Sequence, residues 1–333
     1  MRSTLMKAAV LVAGAATFAT LAGTAQADPA AGVVPATTDL VGVGSDTTQG
    51  VLNTLTDHYN TKSPAPADKA YSWDATGSAT ITPKSGAATI TRPNGSSAGI
   101  SALIADGTTH NIDFARSSRT PKTDGSEVNY GFIEFARDTV TYATATTSNV
   151  PTTLTTLDLN TLYGSAAGSA ACNRNAYLPQ AGSGTRSFFL SSIGLTAAGT
   201  CAKDTFGGAP VQEHSATPLL NDPNAIAPFS VGRAVGVSGI QVNSVDDSVR
   251  PATKPNPSET ARVNPADGQA VTTGGVLAYD RPLFNVVRKA DKTVSKFSSL
   301  FGSLGYICSN ATAKADIVAA GFRRSSNCGV DRN

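Results

Sequence analysis

Four short stretches of the chain place small hydroxyl residues where an anion could be gripped. They read Gly44-Ser45-Asp46-Thr47-Thr48, Asn94-Gly95-Ser96-Ser97, Arg116-Ser117-Ser118 and Gly182-Ser183-Gly184-Thr185-Arg186. Ser and Thr hydroxyls donate hydrogen bonds, and glycine lets an oxygen come close to the main chain. Where such a loop opens a helix, the unpaired N–H groups and the positive end of the helix dipole favour an oxyanion. A tetrahedral anion needs donors from several directions, which separate loops can supply together. For any one loop, a plain helix cap explains the same residues.

Other chemistries fit these residues less well. The G-x-S-x-G pattern of a nucleophile elbow is unmet at Gly182-Ser183-Gly184. A dinucleotide loop fails because Thr47 stands where the third glycine should follow Gly42 and Gly44, and no Walker sequence is present. A serine hydrolase using Ser183 or Ser45, with His214 as base, is the remaining catalytic alternative. There is no C-x-x-C, and His58, His110 and His214 are scattered, so neither a metal nor a cofactor is expected.

The loops must be held by alternating strands and helices. Leu40-Val41-Gly42-Val43 reads as a buried strand, and Val51, Leu52, Leu55 and Tyr59 then recur at helical spacing. Ser45, Asp46 and Thr47 are the N-cap candidates between them. Tyr71-Ser72-Trp73 and Ala88-Thr89-Ile90 read as short strands. Ile100, Leu103 and Ile104 follow the second loop, a short strand over residues 111–119 runs into the third, and Phe188, Phe189 and Ile193 follow the fourth. The alternation predicts an α/β fold with largely parallel sheets, whose ligands bind beyond the carboxyl ends of the strands. Residues 241–275 read as a long surface excursion. Val276-Leu277-Ala278 and Leu283–Val287 resume strand character, and Val294, Phe297, Leu300, Phe301 and Leu304 share one face of a helix. A last short helix covers Ala315–Ala320.

The first residues have the order of a secretory signal peptide: Arg2 and Lys7, an apolar run, then Ala25-Gln26-Ala27 as a cleavage site. No Cys stands there to take a lipid, and no spanning-length apolar run follows, so a released, monomeric protein without a membrane span is expected. The segment holds two basic residues and no acid, which leaves 24 basic and 24 acidic residues in the remainder. Such a neutral surface gives no footprint for nucleic acid or an anionic membrane. One Trp and 6% aromatic residues also leave too few stacking platforms for a polysaccharide binder. In an oxidising compartment, Cys172 with Cys201 and Cys308 with Cys328 are expected to pair. Each bridge would stabilise by about 3–4 kcal/mol on the chain-entropy model.

GSDTTQGVLNTL, RPNGSSAGI, DFARSSR, AGSGTRSFF, AIAPFSVGRA and DRPLFNVV occur in the order seen in phosphate-binding proteins of ABC transporters. The chain resembles that family, and its actinobacterial branch in particular, over nearly all of its length after the signal. The resemblance implies a type II periplasmic-binding-protein fold: two α/β lobes, joined by two crossing strands, with a ligand cleft between them. The expected lobes are residues 28–136 plus 281–333 and residues 137–280, after a signal peptide over 1–27. It implies capture of inorganic phosphate for an ABC permease and no catalysis. The alternatives are sulfate or another oxyanion on the same fold, or a ligand-free surface or matrix protein.

Carried over by position, the resemblance makes Asp46, Thr47, Thr48, Ser96, Ser183, Gly184 and Thr185 ligand contacts. Their loop neighbours Ser45, Gly95, Ser97, Ser117, Ser118 and Gly182 are expected to line the same site. Two charged determinants depart from the family pattern. Ser118 stands where the family has an Asp that accepts the phosphate proton, and Leu178-Pro179-Gln180 stands where it has an Arg before the fourth loop. Arg186 or Arg116 would then supply the cation and Asp46 the acceptor. Salt bridges are the ordinary alternative for the arginines, and helix capping for Asp46.

Overall fold

The computed structural model describes residues 28–30, 32–251, 262–264, 269–270 and 279–333. The expected signal peptide, the strand over 276–278 and much of 252–275 lie outside them. At the centre is a nine-stranded mixed sheet. Ala70–Ser72, Leu40–Gly44 and Phe114–Ser117 run parallel at one end. Asp280–Arg288 and Tyr130–Ala145 continue the sheet antiparallel, followed by Ala225–Ser230 and Asn175–Ala176. Two crossing strands, Tyr130–Ala145 and Asp280–Arg288, join two α/β lobes, the arrangement expected from the family resemblance.

Period-two alternation builds the first lobe. Leu283 and Val287 face one cluster, with Leu52, Leu55 and Phe301, whereas Phe284 and Val286 face another, with Ile100 and Leu103. The sheet is therefore covered on both faces, and Leu40–Gly44 is wholly buried. Val51, Leu52, Leu55 and Tyr59 are the buried apolar face of the helix Gln49–Thr61, at the spacing read from the sequence.

Tyr130–Ala145 is sixteen residues long and belongs to both lobes. Phe132–Ala136 packs in the first lobe, while Val140 and Tyr142 join Tyr163, Phe189, Ile226 and Tyr279 in the second. Asp280–Arg288 pairs with it antiparallel, with a register shift between Leu283 and Phe284, and Arg281 stands opposite Asp138 where the lobes meet. Two disulfides tie local loops, Cys172–Cys201 and Cys308–Cys328, with Cα separations of 5.6 and 5.5 Å. Among the described residues, no helix is long and apolar enough to cross a membrane.

Several local expectations are corrected. The sheet is parallel only at Ala70–Ser72, Leu40–Gly44 and Phe114–Ser117 and where Ala225–Ser230 meets Asn175–Ala176, because both crossing strands run antiparallel. Residues 241–247 are not a surface excursion. Ile240–Val242 pairs with the first crossing strand, Ser244–Asp246 pairs with Thr153–Thr155, and Asn243, Val245 and Asp247 are buried. The helix Ser295–Phe301 is shorter than its apolar spacing implied: Gly302 ends it, and Leu304 is 91% exposed.

Candidate functional site

The first loop leaves the strand Leu40–Gly44 as a single turn, Asp46–Thr48, then runs into the helix Gln49–Thr61. Ser45 precedes that turn without capping it, so its hydroxyl points elsewhere and donates to Ser118 Oγ at 3.2 Å. Two glycines make the neighbouring approach feasible. A β-carbon on Gly99 would lie 2.5 Å from Gly44 Cα, and Gly44 has φ +118°. The helix Ser96–Asp106 can thus rest on the end of the strand. This brings Ser96 Oγ to 3.0 Å from Ser118 N and 3.3 Å from Ser118 Oγ.

The second lobe contributes the helix Gly184–Ser192, capped by Ser183, whose Oγ accepts from Arg186 N at 3.0 Å. A β-carbon on Gly184 would fall 2.4 Å from Ser118 Oγ and 2.5 Å from Ser96 Oγ. Only glycine there lets the helix end abut the first lobe. Thr185 Oγ1 then lies 3.2 Å from Thr47 Oγ1, which is itself 3.2 Å from Ser118 Oγ. Hydroxyls from all four loops thus converge, and Ser45, Thr47, Ser96, Ser118, Ser183 and Thr185 are all buried.

Two acidic groups and one cation complete the cluster. Glu213 Oε1 accepts from Ser183 Oγ at 2.8 Å and Thr185 N at 2.9 Å, with Thr47 Oγ1 at 3.3 Å. The cation is Arg281, on the second crossing strand. Its guanidinium donates to Asp138 Oδ2 at 2.8 and 3.0 Å, Thr185 Oγ1 at 2.9 Å and the Ser118 carbonyl at 3.2 Å, and lies 3.4 Å from Thr47 Oγ1. Asp138 also accepts from Ser230 Oγ at 2.7 Å, which fixes its carboxylate. Arg281 and Asp138 are both buried, where a charged pair needs this degree of hydrogen bonding to offset lost hydration.

Neither arginine expected to supply the cation faces the hydroxyls. Arg116 is wholly buried and donates to the carbonyls of Ser45, Gly44 and Trp73 and to Ser72 Oγ, bracing the first loop from behind. Burial pushes its guanidinium down to about 10, against the raising effect of Asp74 and Asp46. Arg186 points away, donating to the Pro179 carbonyl at 2.8 Å and facing Asp204 at 3.7 Å.

Asp46 is not an open acceptor either. Its carboxylate meets His214 Nδ1 at 2.8 Å and Arg233 at 3.6 Å. Burial alone would raise its pKa. The hydrogen bond and charge of His214, with Arg233 and Arg116, outweigh that and hold the carboxyl below its ordinary 3.8.

The other expected residues sit at the edge. Ser117 Oγ donates to the Arg119 carbonyl, and Ser97 Oγ accepts from Arg119. Thr48 Oγ1 is buried with no hydrogen-bonding protein partner. Gly95 and Gly182 meet across the lobes, next to the bond from Ser97 N to the Gly182 carbonyl at 3.2 Å. Neither candidate nucleophile is bonded to the imidazole: Ser183 Oγ donates to Glu213 and Ser45 Oγ to Ser118. His214 Nε2 instead lies 3.5 Å from Thr185 Oγ1, an oxygen already covered by Arg281.

Arg281, Asp138, Glu213 and the structural roles of His214 and Arg233 escaped the sequence reading. Arg281 and Arg233 lie inside two of the stretches that carried the family resemblance, DRPLFNVV and AIAPFSVGRA, which was the available signal. Glu213 stands in a loop without periodicity and gave none.

No protein-family model matches the chain, and no curated protein matches its sequence. Solved structures do match its fold. An ABC-type phosphate transport receptor from Vibrio cholerae superposes with a TM-score of 0.54 at 17% identity, covering 86% of this chain and 100% of that one. A candidate phosphate ABC-transporter substrate-binding protein from Clostridium perfringens, solved with bound phosphate, gives 0.53 at 15% identity, covering 86% and 99%. At these identities the likeness establishes the fold.

Proposed function

We propose that the chain is a secreted solute-binding protein whose cleft takes an inorganic oxyanion, phosphate first, for delivery to an ABC permease. In this reading residues 28–136 plus 281–333 form one lobe, residues 137–280 the other, and residues 1–27 a signal peptide. The ligand contacts are Ser45, Thr47, Ser96, Ser118, Ser183 and Thr185, with Arg281 as the cation. The observation that carries the reading is the convergence of hydroxyls from four loops at the junction of the lobes, with one buried guanidinium against the Thr185 and Thr47 hydroxyls and the Ser118 carbonyl. Fixed dipoles and a planar donor fork suit a tetrahedral anion. The fold's likeness to the phosphate transport receptor and the phosphate-bound substrate-binding protein supports the same direction.

A thermal-shift panel with phosphate, arsenate, sulfate and molybdate, followed by calorimetry on any hit, tests it. A ligand at 100 times its Kd stabilises by about 2.7 kcal/mol. Phosphate is expected to raise the melting temperature. A response to sulfate alone would transfer the reading to sulfate, and silence throughout would remove oxyanion binding. The second reading is the same fold serving without an oxyanion, as a surface or matrix protein. One observation favours it: a carboxylate of the chain itself already uses three of the donors.

A further inference from the structure

Glu213 and its two neighbours do something the proposed binding role does not require. Gln212, Glu213 and His214 are consecutive, and each reaches across to the first lobe. Gln212 Oε1 accepts from Asn94 Nδ2 at 2.7 Å, Glu213 Oε1 lies 3.3 Å from Thr47 Oγ1, and His214 Nδ1 meets Asp46 Oδ2 at 2.8 Å. The tripeptide is pinned to its own lobe as well, by Gln180 Oε1, which accepts from Glu213 N at 3.1 Å. Gln180 Nε2 in turn donates to Asn94 Oδ1 at 2.8 Å, closing a ring of amides across the cleft. His214 holds φ +61°, a strained position for a residue with a β-carbon, which its neighbours must overcome.

At the middle of this bridge, Glu213 Oε1 rests on the donors an oxyanion would use: the Ser183 hydroxyl, the Thr185 amide at the helix N-terminus and the Thr47 hydroxyl. Its second oxygen, Oε2, is buried with no hydrogen-bonding protein partner. Only half of the carboxylate is therefore engaged, and burying an unpaired acceptor is costly. A ligand with more acceptor oxygens offers these donors a better partner.

We infer that Glu213 is a tethered competitor for the anion seat. Its carboxylate occupies the Thr47, Ser183 and Thr185 donors, its tripeptide latches the two lobes together, and an oxyanion binds by displacing it. Glu213 is thus the residue that sets affinity and excludes weak anions, since only a ligand able to outcompete an intramolecular carboxylate enters. The binding half of this inference rests on the proposed oxyanion function, and the latch half does not. The apparent Kd rises as the fraction of molecules with the seat open falls.

The test compares the full secreted chain with Glu213→Ala and Glu213→Gln by small-angle X-ray scattering without added anion, and by calorimetry with phosphate. Glu213→Ala is expected to enlarge the radius of gyration, to bind phosphate at least tenfold more tightly, and to regain the compact form with acetate or formate, which refill the seat. Glu213→Gln keeps the packing and an acceptor oxygen but drops the charge, so it should shift both readouts in the same direction by less. It serves as the folded control should the alanine variant not fold. Unchanged scattering in both variants overturns the latch. Weaker phosphate binding in either variant overturns the competitor and makes Glu213 a ligand contact. If no variant binds any oxyanion but scattering still expands and acetate reverses it, the tethered-carboxylate latch stands and the proposed transport function falls.

Discussion

Removing the Arg281 guanidinium should separate its structural work from its binding work. In Arg281→Met the side chain keeps its apolar length but strips two charge-assisted bonds from Asp138 and one from Thr185. Asp138 is 2% exposed and would keep only the bond from Ser230 Oγ at 2.7 Å. A buried charge left without its counter-ion costs about 3–5 kcal/mol. Replacing both partners, in Arg281→Met/Asp138→Leu, removes the stranded charge, and such swaps come out near neutral. Ser230 then loses its acceptor, a cost of about 1 kcal/mol.

Urea denaturation of the wild type, both single variants and the double variant gives the four corners of the cycle. The double variant is expected to recover most of the stability lost in Arg281→Met. Phosphate affinity should behave differently. A buried charge-assisted contact contributes about 1.5–3 kcal/mol, or roughly 10- to 150-fold in Kd, and the double variant should not recover it. A double variant that regained both stability and affinity would refute the assignment of Arg281 as the ligand's cation. A single variant costing less than about 1 kcal/mol would refute the account of the buried pair.

Three further outcomes follow from the same geometry. Arg186→Ala should leave phosphate affinity within about twofold, because its guanidinium binds the Pro179 carbonyl outside the cluster; a loss resembling that of Arg281→Met would return the cation to the fourth loop. Gly184→Ala should weaken phosphate binding at least tenfold in calorimetry while the fold survives by circular dichroism, since its β-carbon would meet Ser118 Oγ at 2.4 Å and Ser96 Oγ at 2.5 Å. The Asp46 carboxyl is held below 3.8, so its contribution to stability is fully present above that value and lost as the pH falls through the lower folded value. Asp46→Asn should therefore be less stable than the wild type at pH 7, with the gap closing on acidification below about pH 4 in urea titrations.

How much of the site was legible depended on how local its signal was. Small polar residues just before an apolar run can be read within a dozen positions, and the hydroxyl loops were found that way. The helix Gln49–Thr61 was equally plain, because four apolar residues at helical spacing admit one buried face. Arg281 is separated from Thr185 by 96 residues and from Ser118 by 163, so nothing nearby in the chain marks its partners. Arg116 misled for the complementary reason. It sits in the right loop, but its side chain leaves the strand Phe114–Ser117 behind Ser45, toward Ser72 and Trp73, while Ser118, just past the strand's end, meets the hydroxyl cluster. Leu304 misled because a helical spacing says nothing about where the backbone stops, and Gly302 stops it first.

The position of the cation has a mechanical consequence. A guanidinium on the helix Gly184–Ser192, as expected of Arg186, would travel with the second lobe and meet the first only on closure. Arg281 instead lies on a strand shared by both, paired in register with Asp138 on the other. It touches the Ser118 carbonyl on one side and Thr185 and the Phe188 ring on the other. Its charge is therefore held at the junction by Asp138, whose carboxylate Ser230 Oγ fixes in turn. Ser183 and Thr185, at the start of the second lobe's helix, are the two donors that Glu213 engages most closely. Competition at the seat is thus concentrated on the second lobe's wall, so an anion that displaces the carboxylate also releases its contact with Thr47 across the cleft.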